Sequence, residues 1–378
     1  MNYLHQHIGP NIILLLTGLF LITLIIQLYF ILNTHRKLAF FKSRKSKEQI
    51  NIPISVIISA RNESDNLFKN LPKILEQKYS LFEVIVVNHQ SIDNSKDILE
   101  AFSKQYKNLK VVELAKNKHI STGKKLPLTI GIKAAQYEHL IFTDADCEPN
   151  SHQWVKNMAA QFYKEKNIVL GYGPMIKSTG IFNKLMRFDA AWIGVNYLSM
   201  ALNKTPYMGV GRNLAYTKSA FYAVNGFKSH YSIASGDDDL FIQEAVKKNN
   251  YTIEISPETF MYSPAKENMS DWIRQKSRHY TTAPKYPFIK KLLLAIYPAS
   301  LILTWICFVS LVQLSYHELY LTLSMVVLYG LKWWIGARCL IKLEEKKLAL
   351  FFPFWDLFYA AFIPILFVIA KNKKNATW

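Results

Sequence analysis

The chain has few cysteines, and the three present, Cys147, Cys307 and Cys339, share no metal-ligand spacing. That excludes a cysteine-built metal site, and an unpaired thiol suits a reducing cytoplasm. Acid is also scarce, with 27 Asp and Glu against 46 Lys and Arg, giving a formal net charge of +19. Together with 14% aromatics, this excess has the composition of a nucleic-acid binder. Placement argues against nucleic acid as a partner. Most aromatics lie in or beside apolar runs, and the basic residues flank those runs, where anionic membrane lipids are the nearer partner. Basic residues are missing ahead of the first apolar run, and no small-residue cleavage pattern follows it, which excludes a cleaved signal peptide.

What is plentiful is apolar sequence, 50% of 378 residues, concentrated at the two ends. Asn11 to Leu32 carries no charge and is long enough to cross a hydrocarbon core of ~30 Å as a helix. Residues 1–34 therefore read as a transmembrane anchor and 35–50 as a basic juxtamembrane linker. Arg36, Lys37, Lys42, Arg44, Lys45 and Lys47 follow the run, which puts the N-terminus outside and the following chain in the cytoplasm. Three further runs, 292–314, 319–341 and 348–370, make 287–378 a C-terminal membrane region of a multi-pass inner (cytoplasmic) membrane protein. Charges at membrane depth are costly, so Lys332, Arg338 and Asp356 leave two readings open. Either they line an acceptor path, or the two cations snorkel to the interface while Asp356 pairs with a neighbour. Four crossings would place Lys371, Lys373 and Lys374 outside, against the charge rule. Pro353 and Pro364 mark the last run as the candidate re-entrant segment.

Between these ends, 51–286 alternates β-branched apolar runs (Ile54 to Ser59, Val84 to Asn88, Lys110 to Leu114, Leu140 to Thr143, Ile168 to Tyr172) with helical stretches such as Asn66 to Gln77 and Ser95 to Tyr106. The pattern predicts an α/β domain on a mostly parallel sheet buried on both faces. In such sheets ligands gather at the carboxyl ends of strands. Here three predicted strands end in polar clusters: Ser59-Ala-Arg61-Asn62-Glu63, Asn88-His-Gln-Ser-Ile-Asp93, and Asp144-Ala145-Asp146. Asp144 and Asp146, one residue apart at a strand end, offer hard oxygen ligands where a divalent cation and a diphosphate can meet.

The order of these clusters resembles a membrane-anchored family 2 glycosyltransferase of the GT-A (nucleotide-diphosphosugar transferase) fold, of the kind that builds bacterial cell-surface glycans and glycolipids. The resemblance covers about residues 50–285 and extends to one apolar segment before and several after. It implies that Ser59, Arg61, Asn62, Glu63, Asn88 and Asp93 hold the nucleoside part of a nucleotide-sugar donor. Asn88 stands where the family usually has Asp, and an amide can still accept a hydrogen bond there. Lys124, in Gly123-Lys124-Lys125 at a helix start, would approach the donor phosphates. Asp144, Ala145 and Asp146 would hold Mg²⁺ or Mn²⁺ and the diphosphate.

Gly211-Arg212-Asn213 resembles the family's acceptor-side segment. Asp237-Asp238-Asp239 resembles the acidic cluster that supplies a general base; the Gly-Asp-Asp form favours Asp238, while alignment on Leu240 selects Asp237. Gln275-Lys-Ser-Arg278-His279 resembles the Gln-x-x-Arg-Trp signature, with Gln275 and Arg278 on one helix face toward the diphosphate. His279 replaces the usual Trp on the acceptor side. The resemblance implies an inverting, metal-dependent, hexosyltransferase-type enzyme that moves a sugar to a lipid-linked or glycan acceptor. The rival is a non-catalytic nucleotide-sugar-binding or scaffold protein of a polysaccharide synthesis and export complex, which Asn88 and His279 favour.

Overall fold

The computed structural model describes residues 10–44, 51–115 and 123–372. Lys45, Lys47, Lys373 and Lys374, which enter the topology argument, lie outside them. Contacts divide the chain into two units, one of Lys42–Lys285 with Ala370–Trp378 and one of Met1–Phe41 with Tyr286–Ile369.

Among the described residues the first unit carries nine strands: β1 (Ile54–Ala60), β2 (Phe82–His89), β3 (Leu109–Leu114), β4 (His139–Asp144), β5 (Glu148–Pro149), β6 (Ile168–Leu170), β7 (Leu214–Thr217), β8 (Tyr251–Ile253) and β9 (Met261–Tyr262). Every residue of β1 is buried, which is why its sequence is an apolar run rather than an alternation. It pairs in parallel with β2 and β4, and β2 pairs in parallel with β3. The crossovers include the amphipathic helices Ser64–Leu75 and Ser95–Gln105, whose Leu67, Leu71, Ile74 and Leu99 enter the core beneath β1 and β2. The sheet continues in the order β3-β2-β1-β4-β7-β6-β8, and β5 pairs with β9 apart from it. The expected mostly parallel α/β architecture is present, with β7 as its one antiparallel member.

Register sets the position of the polar clusters. Ser59 lies opposite Asp144, and Ala60 opposite Asn88, so β1, β2 and β4 finish on one line. Because β7 runs the other way, its beginning, with the turn Gly211–Asn213 ahead of it, reaches the same edge. The predicted run Ile168 to Tyr172 pairs only as far as Leu170. Beyond it the Asn213 side chain and carbonyl crowd Gly171 to within 2.6 Å of where a Cβ would stand, and the Gly171 N–H bonds the Asn213 carbonyl instead of a ladder partner.

Among the described residues, the second unit holds four helices long and apolar enough to cross a membrane: Pro10–Ala39, Phe288–Gln313, Glu318–Lys342 and Phe352–Ala370. The first runs on into the basic segment expected as a linker. Pro364 sits inside the last without breaking it. Of the two readings open for these charges, Asp356 pairs with a neighbour as the second held, and that neighbour is Lys332, which is buried in the bundle rather than snorkelling to an interface. Lys332 Nζ lies 2.6 Å from Asp356 Oδ2, with their side chains 0% and 1% exposed. Lys332 also donates to Gln27 Oε1 (2.7 Å), and the Tyr297 hydroxyl donates to Asp356 (3.0 Å), so each charge has partners within the helix bundle. Arg338 covers the Phe40 ring at 4.5 Å.

Candidate active site at the sheet edge

Two loops close one side of the edge. The Asn62 N–H donates to Ser91 Oγ (2.9 Å) and Asn62 Oδ1 accepts from the Ile92 N–H (2.9 Å), so the loops after β1 and β2 brace each other. Asn62 holds φ of 54°, a left-handed conformation that Asn tolerates better than most residues. Asp93 accepts the Ser64 (2.9 Å) and Ser95 (3.1 Å) amides. Burial works against its ionisation, but the hydroxyl and amide donors of Ser95 and Ser64 hold it below the usual carboxylate range. Asn88 donates to both oxygens of Glu113 (3.1 and 3.0 Å) and accepts from Ser91. Its NH₂ is therefore committed to Glu113, while Oδ1 keeps a lone pair beyond the one Ser91 uses, so Asn88 braces the loop and can still accept one further hydrogen bond.

The end of β4 gathers the charges. Lys124 Nζ donates to Asp144 Oδ1 at 2.6 Å. Burial alone would raise Asp144, but the Lys124 ammonium, with Arg212 and Arg278 behind it, holds the carboxyl below its ordinary range. Burial would likewise lower Lys124, yet Asp144 and then Asp237 carry it above its ordinary value. Glu63 sits near enough to feel Asp146 and Asp144, and burial, more than either, raises it. Ser59 Oγ is buried at this edge and takes no hydrogen bond among the described residues. Ala145 offers its carbonyl to Asn70 (3.3 Å) and so fixes the turn between the two carboxylates.

Asp144, Asp146 and Cys147 bring ligand atoms within 4.8 Å of one another, a spacing one cation can bridge. Cys147 is the poor member, since burial first, then Asp146 and Asp144, holds its thiol protonated, and it donates to Asp146 Oδ1 (3.3 Å). The remaining hard oxygen donors fit Mg²⁺ or Mn²⁺.

The acidic cluster faces this edge from the start of the helix Asp239–Ala245. Gly236 turns the chain into it with φ of 105°, a conformation costly for any side chain. Asp238 caps the helix, Oδ1 accepting the Asp239 N–H (2.7 Å) and Oδ2 the Gly211 N–H (3.0 Å). Burial, then Asp237 and Asp239, pushes it up to about 8 despite those two donors. Asp239 is buried, accepting the Leu240 N–H (2.8 Å) and the Thr282 hydroxyl (2.6 Å). The Asp237 carboxylate carries no hydrogen bond among the described residues, and its charge acts on both Lys124 and Lys125.

The expected acceptor-side residues divide. Gly211 stands against the cluster. The Arg212 guanidinium donates twice to the Gly173 carbonyl (2.9 and 2.6 Å) and looks toward Asp144; a Cβ on Gly173 would lie 2.3 Å from its Nε. Asn213 is corrected to a structural role, because its amide donates to the Tyr172 and Thr259 carbonyls (2.8 Å each) and accepts from Trp154 Nε1 (3.1 Å) inside the core. On the helix Met269–Tyr280, Arg278 comes close enough to act on Lys124 and Asp144, Gln275 is half-buried and His279 is exposed.

Sequence reasoning missed three supporting groups. Lys125 holds backbone carbonyls, and Thr282 ties Asp239 to the end of the Arg278 helix. Lys276 pairs with Asp189 (2.5 Å), which the isolated Asp inside the apolar helix Ile181–Leu202 could have flagged.

Residues 55–224 match the glycosyl transferase family 2 profile, and residues 146–364 match glycosyl transferase family group 2. The poly-beta-1,6-N-acetyl-D-glucosamine synthase of Staphylococcus epidermidis is 35% identical over 102 residues, 27% of this chain and 24% of that protein. Glycosyltransferase AglE of Haloferax volcanii is 34% identical over 105 residues, 27% of this chain and 33% of that one. The matched segments thus span a third or less of these relatives' length. In overall fold the chain is similar to the mannosyltransferase PcManGT of Pyrobaculum calidifontis, solved with GDP-Man and Mn²⁺, at a TM-score of 0.55 and 16% identity over 89% of this chain and 98% of that one.

Proposed function

The chain belongs to glycosyltransferase family 2, and from that premise we propose that it transfers a sugar, with inversion, from a nucleotide-diphosphate donor to a lipid-linked or glycan acceptor at the cytoplasmic face of the inner membrane. The observation that carries this reading is the position of Lys124, which bonds Asp144 and at the same time answers to Asp237. One cation thus links the strand-end carboxylate Asp144 to the charge of the acidic cluster.

Lys124 and Arg278 bind the donor's phosphates, Arg278 bidentately. Asp144 and Asp146 would hold a divalent cation, which when bound would supply charge neutralisation for the leaving diphosphate. Ser59, with its buried unused hydroxyl, and Arg61 meet the nucleoside side of the donor. Asp237 is the general base. Its carboxylate is uncommitted among the described residues, whereas both oxygens of Asp238 already accept backbone amides. Asp237 takes the acceptor hydroxyl's proton as that oxygen attacks the anomeric carbon and the diphosphate leaves from the opposite face, with no covalent intermediate. Asp238 and Asp239 hold Asp237 in place.

The basic cluster after the first apolar helix supports a cytoplasmic catalytic domain, with 51–286 as the transferase and 287–378 as the membrane region. The test is a donor panel in native membranes, read by released nucleotide with and without EDTA. Metal-dependent, acceptor-stimulated release from one donor is expected. No release from any donor would leave the non-catalytic scaffold reading standing.

A further inference from the structure

Lys124 and Lys125 stand side by side where the helix Lys125–Ala134 begins, and they serve different parts of the site. Lys124 goes to the strand end, onto Asp144. Lys125 turns away, 5% exposed, and its Nζ donates to the carbonyls of His230 (2.6 Å), Ile233 (2.8 Å) and Ser235 (2.7 Å). An ammonium has three protons, and all three are used on backbone. Those carbonyls belong to the segment that runs through Gly236 into Asp237-Asp238-Asp239, so Lys125 clamps the loop that presents the carboxylates.

A buried ammonium is costly to keep unless its charge is answered, and here the answer comes from Asp237, Asp239 and Asp238. From the other elements packed there, the cluster meets Lys124, the Tyr197, Tyr207 and Tyr216 phenols and the Thr282 hydroxyl. Lys125 is therefore set against the charge of all three carboxylates, and Lys124 against that of Asp237.

We propose that Lys125 is a positioning residue of the transfer reaction: by clamping the carbonyls of His230, Ile233 and Ser235 it fixes the carboxylate loop against the Lys124–Asp144 strand end, with its charge set against the three carboxylates. This rests on the glycosyl-transfer reading above. A lysine whose role is only to fill space would be replaced by methionine without moving the pH profile of the surviving activity.

The test compares the full-length wild type with Lys125→Met and Lys125→Arg, using the donor selected by the panel and counting competent sites by Mn²⁺ binding in electron paramagnetic resonance. For Lys125→Met, donor KM and Mn²⁺ affinity should stay within about threefold while kcat per competent site falls about 100-fold. The acid limb of its pH–rate profile should move alkaline by about one pH unit, since losing the cation makes the carboxylates harder to ionise. Lys125→Arg keeps the charge, but its planar fork cannot meet the same three carbonyls, so kcat should fall about 10-fold with the limb in place. An active wild type beside a Met variant with kcat within about threefold, or with an unmoved acid limb, overturns the proposal. If the Met variant fails to bind Mn²⁺, the Arg variant decides, and unchanged kcat there overturns it. If the wild type transfers nothing, the glycosyl-transfer reading fails instead. Amide hydrogen exchange over residues 230–238 then still tests the clamp: faster exchange in the Arg variant is expected, and equal exchange overturns it.

Discussion

Replacing Asp237 by Asn removes a proton acceptor while keeping its volume, and the surrounding bonds set how large the effect should be. No hydrogen bond among the described residues depends on that carboxylate, so the loop should keep its shape and the donor its affinity. What is lost is general-base catalysis, worth at least ~10²-fold, or about 2.7 kcal/mol of barrier. Asp238→Asn is a different perturbation. Its two oxygens accept the Gly211 N–H (3.0 Å) and the Asp239 N–H (2.7 Å), and an amide has one oxygen to offer them. One backbone donor is then left facing an NH₂, at about 1–3 kcal/mol, and transfer should fall about 10-fold through displacement of the loop. The assay is single-turnover transfer at saturating donor, with donor affinity measured in parallel. Asp237→Asn should lose rate at unchanged affinity. If Asp237→Asn keeps near wild-type transfer while Asp238→Asn loses 10²-fold, the base is Asp238. If both keep it, the cluster is only an acidic helix start and the mechanism is wrong.

Asp146→Ala should abolish donor turnover, as should EDTA on the wild type, with Mg²⁺ or Mn²⁺ restoring the latter only; full activity in EDTA would refute the metal assignment. The pH dependence of stability follows from Asp238. Because its folded-state value is pushed up to about 8 from an ordinary 3.8, the folded chain holds a proton that the unfolded chain has released. Stability should therefore fall as pH rises between those values, by up to about 1.4 kcal/mol per pH unit, and level off above. Thermal unfolding in detergent with EDTA should show that slope in the wild type and lose it in Asp238→Asn; equal slopes would refute it. In the membrane unit, Lys332→Met alone strands Asp356 and should cost about 3–5 kcal/mol, while Lys332→Met with Asp356→Leu should recover most of it. Equal melting temperatures for the single and double variants would show that the pair is not what holds those helices.

The strand ends were legible because the sheet is covered on both faces: an apolar run must fill each strand, and the first polar residues mark where it leaves the core. Ser59 and Asp144 lie opposite each other for that reason, with Asn88 one residue further along on β2. The use of each polar side chain was not legible. Asn213 follows two glycines in a segment that resembles an acceptor loop, yet its amide is used up by carbonyls 41 and 46 residues away in sequence. The NH₂ of Asn88 is held by Glu113 on the neighbouring strand, a pairing fixed by the register of β2 on β3.

The most consequential gap is at Lys125. A lysine that pairs with a carboxylate leaves a complementary residue somewhere in the sequence, but one that pairs with three carbonyls leaves none, since every residue has a carbonyl. Gly123-Lys124-Lys125 therefore pointed to the donor through Lys124 and was silent about the loop more than 100 residues away that Lys125 holds. The same reasoning separates Lys332 and Asp356 from an open path. Their charges are visible in apolar runs, but only the packing of the helices shows that each is answered by the other and by Gln27 and Tyr297. Charge at membrane depth marks a place where something must be paired, and the identity of the partner is settled by packing rather than by composition.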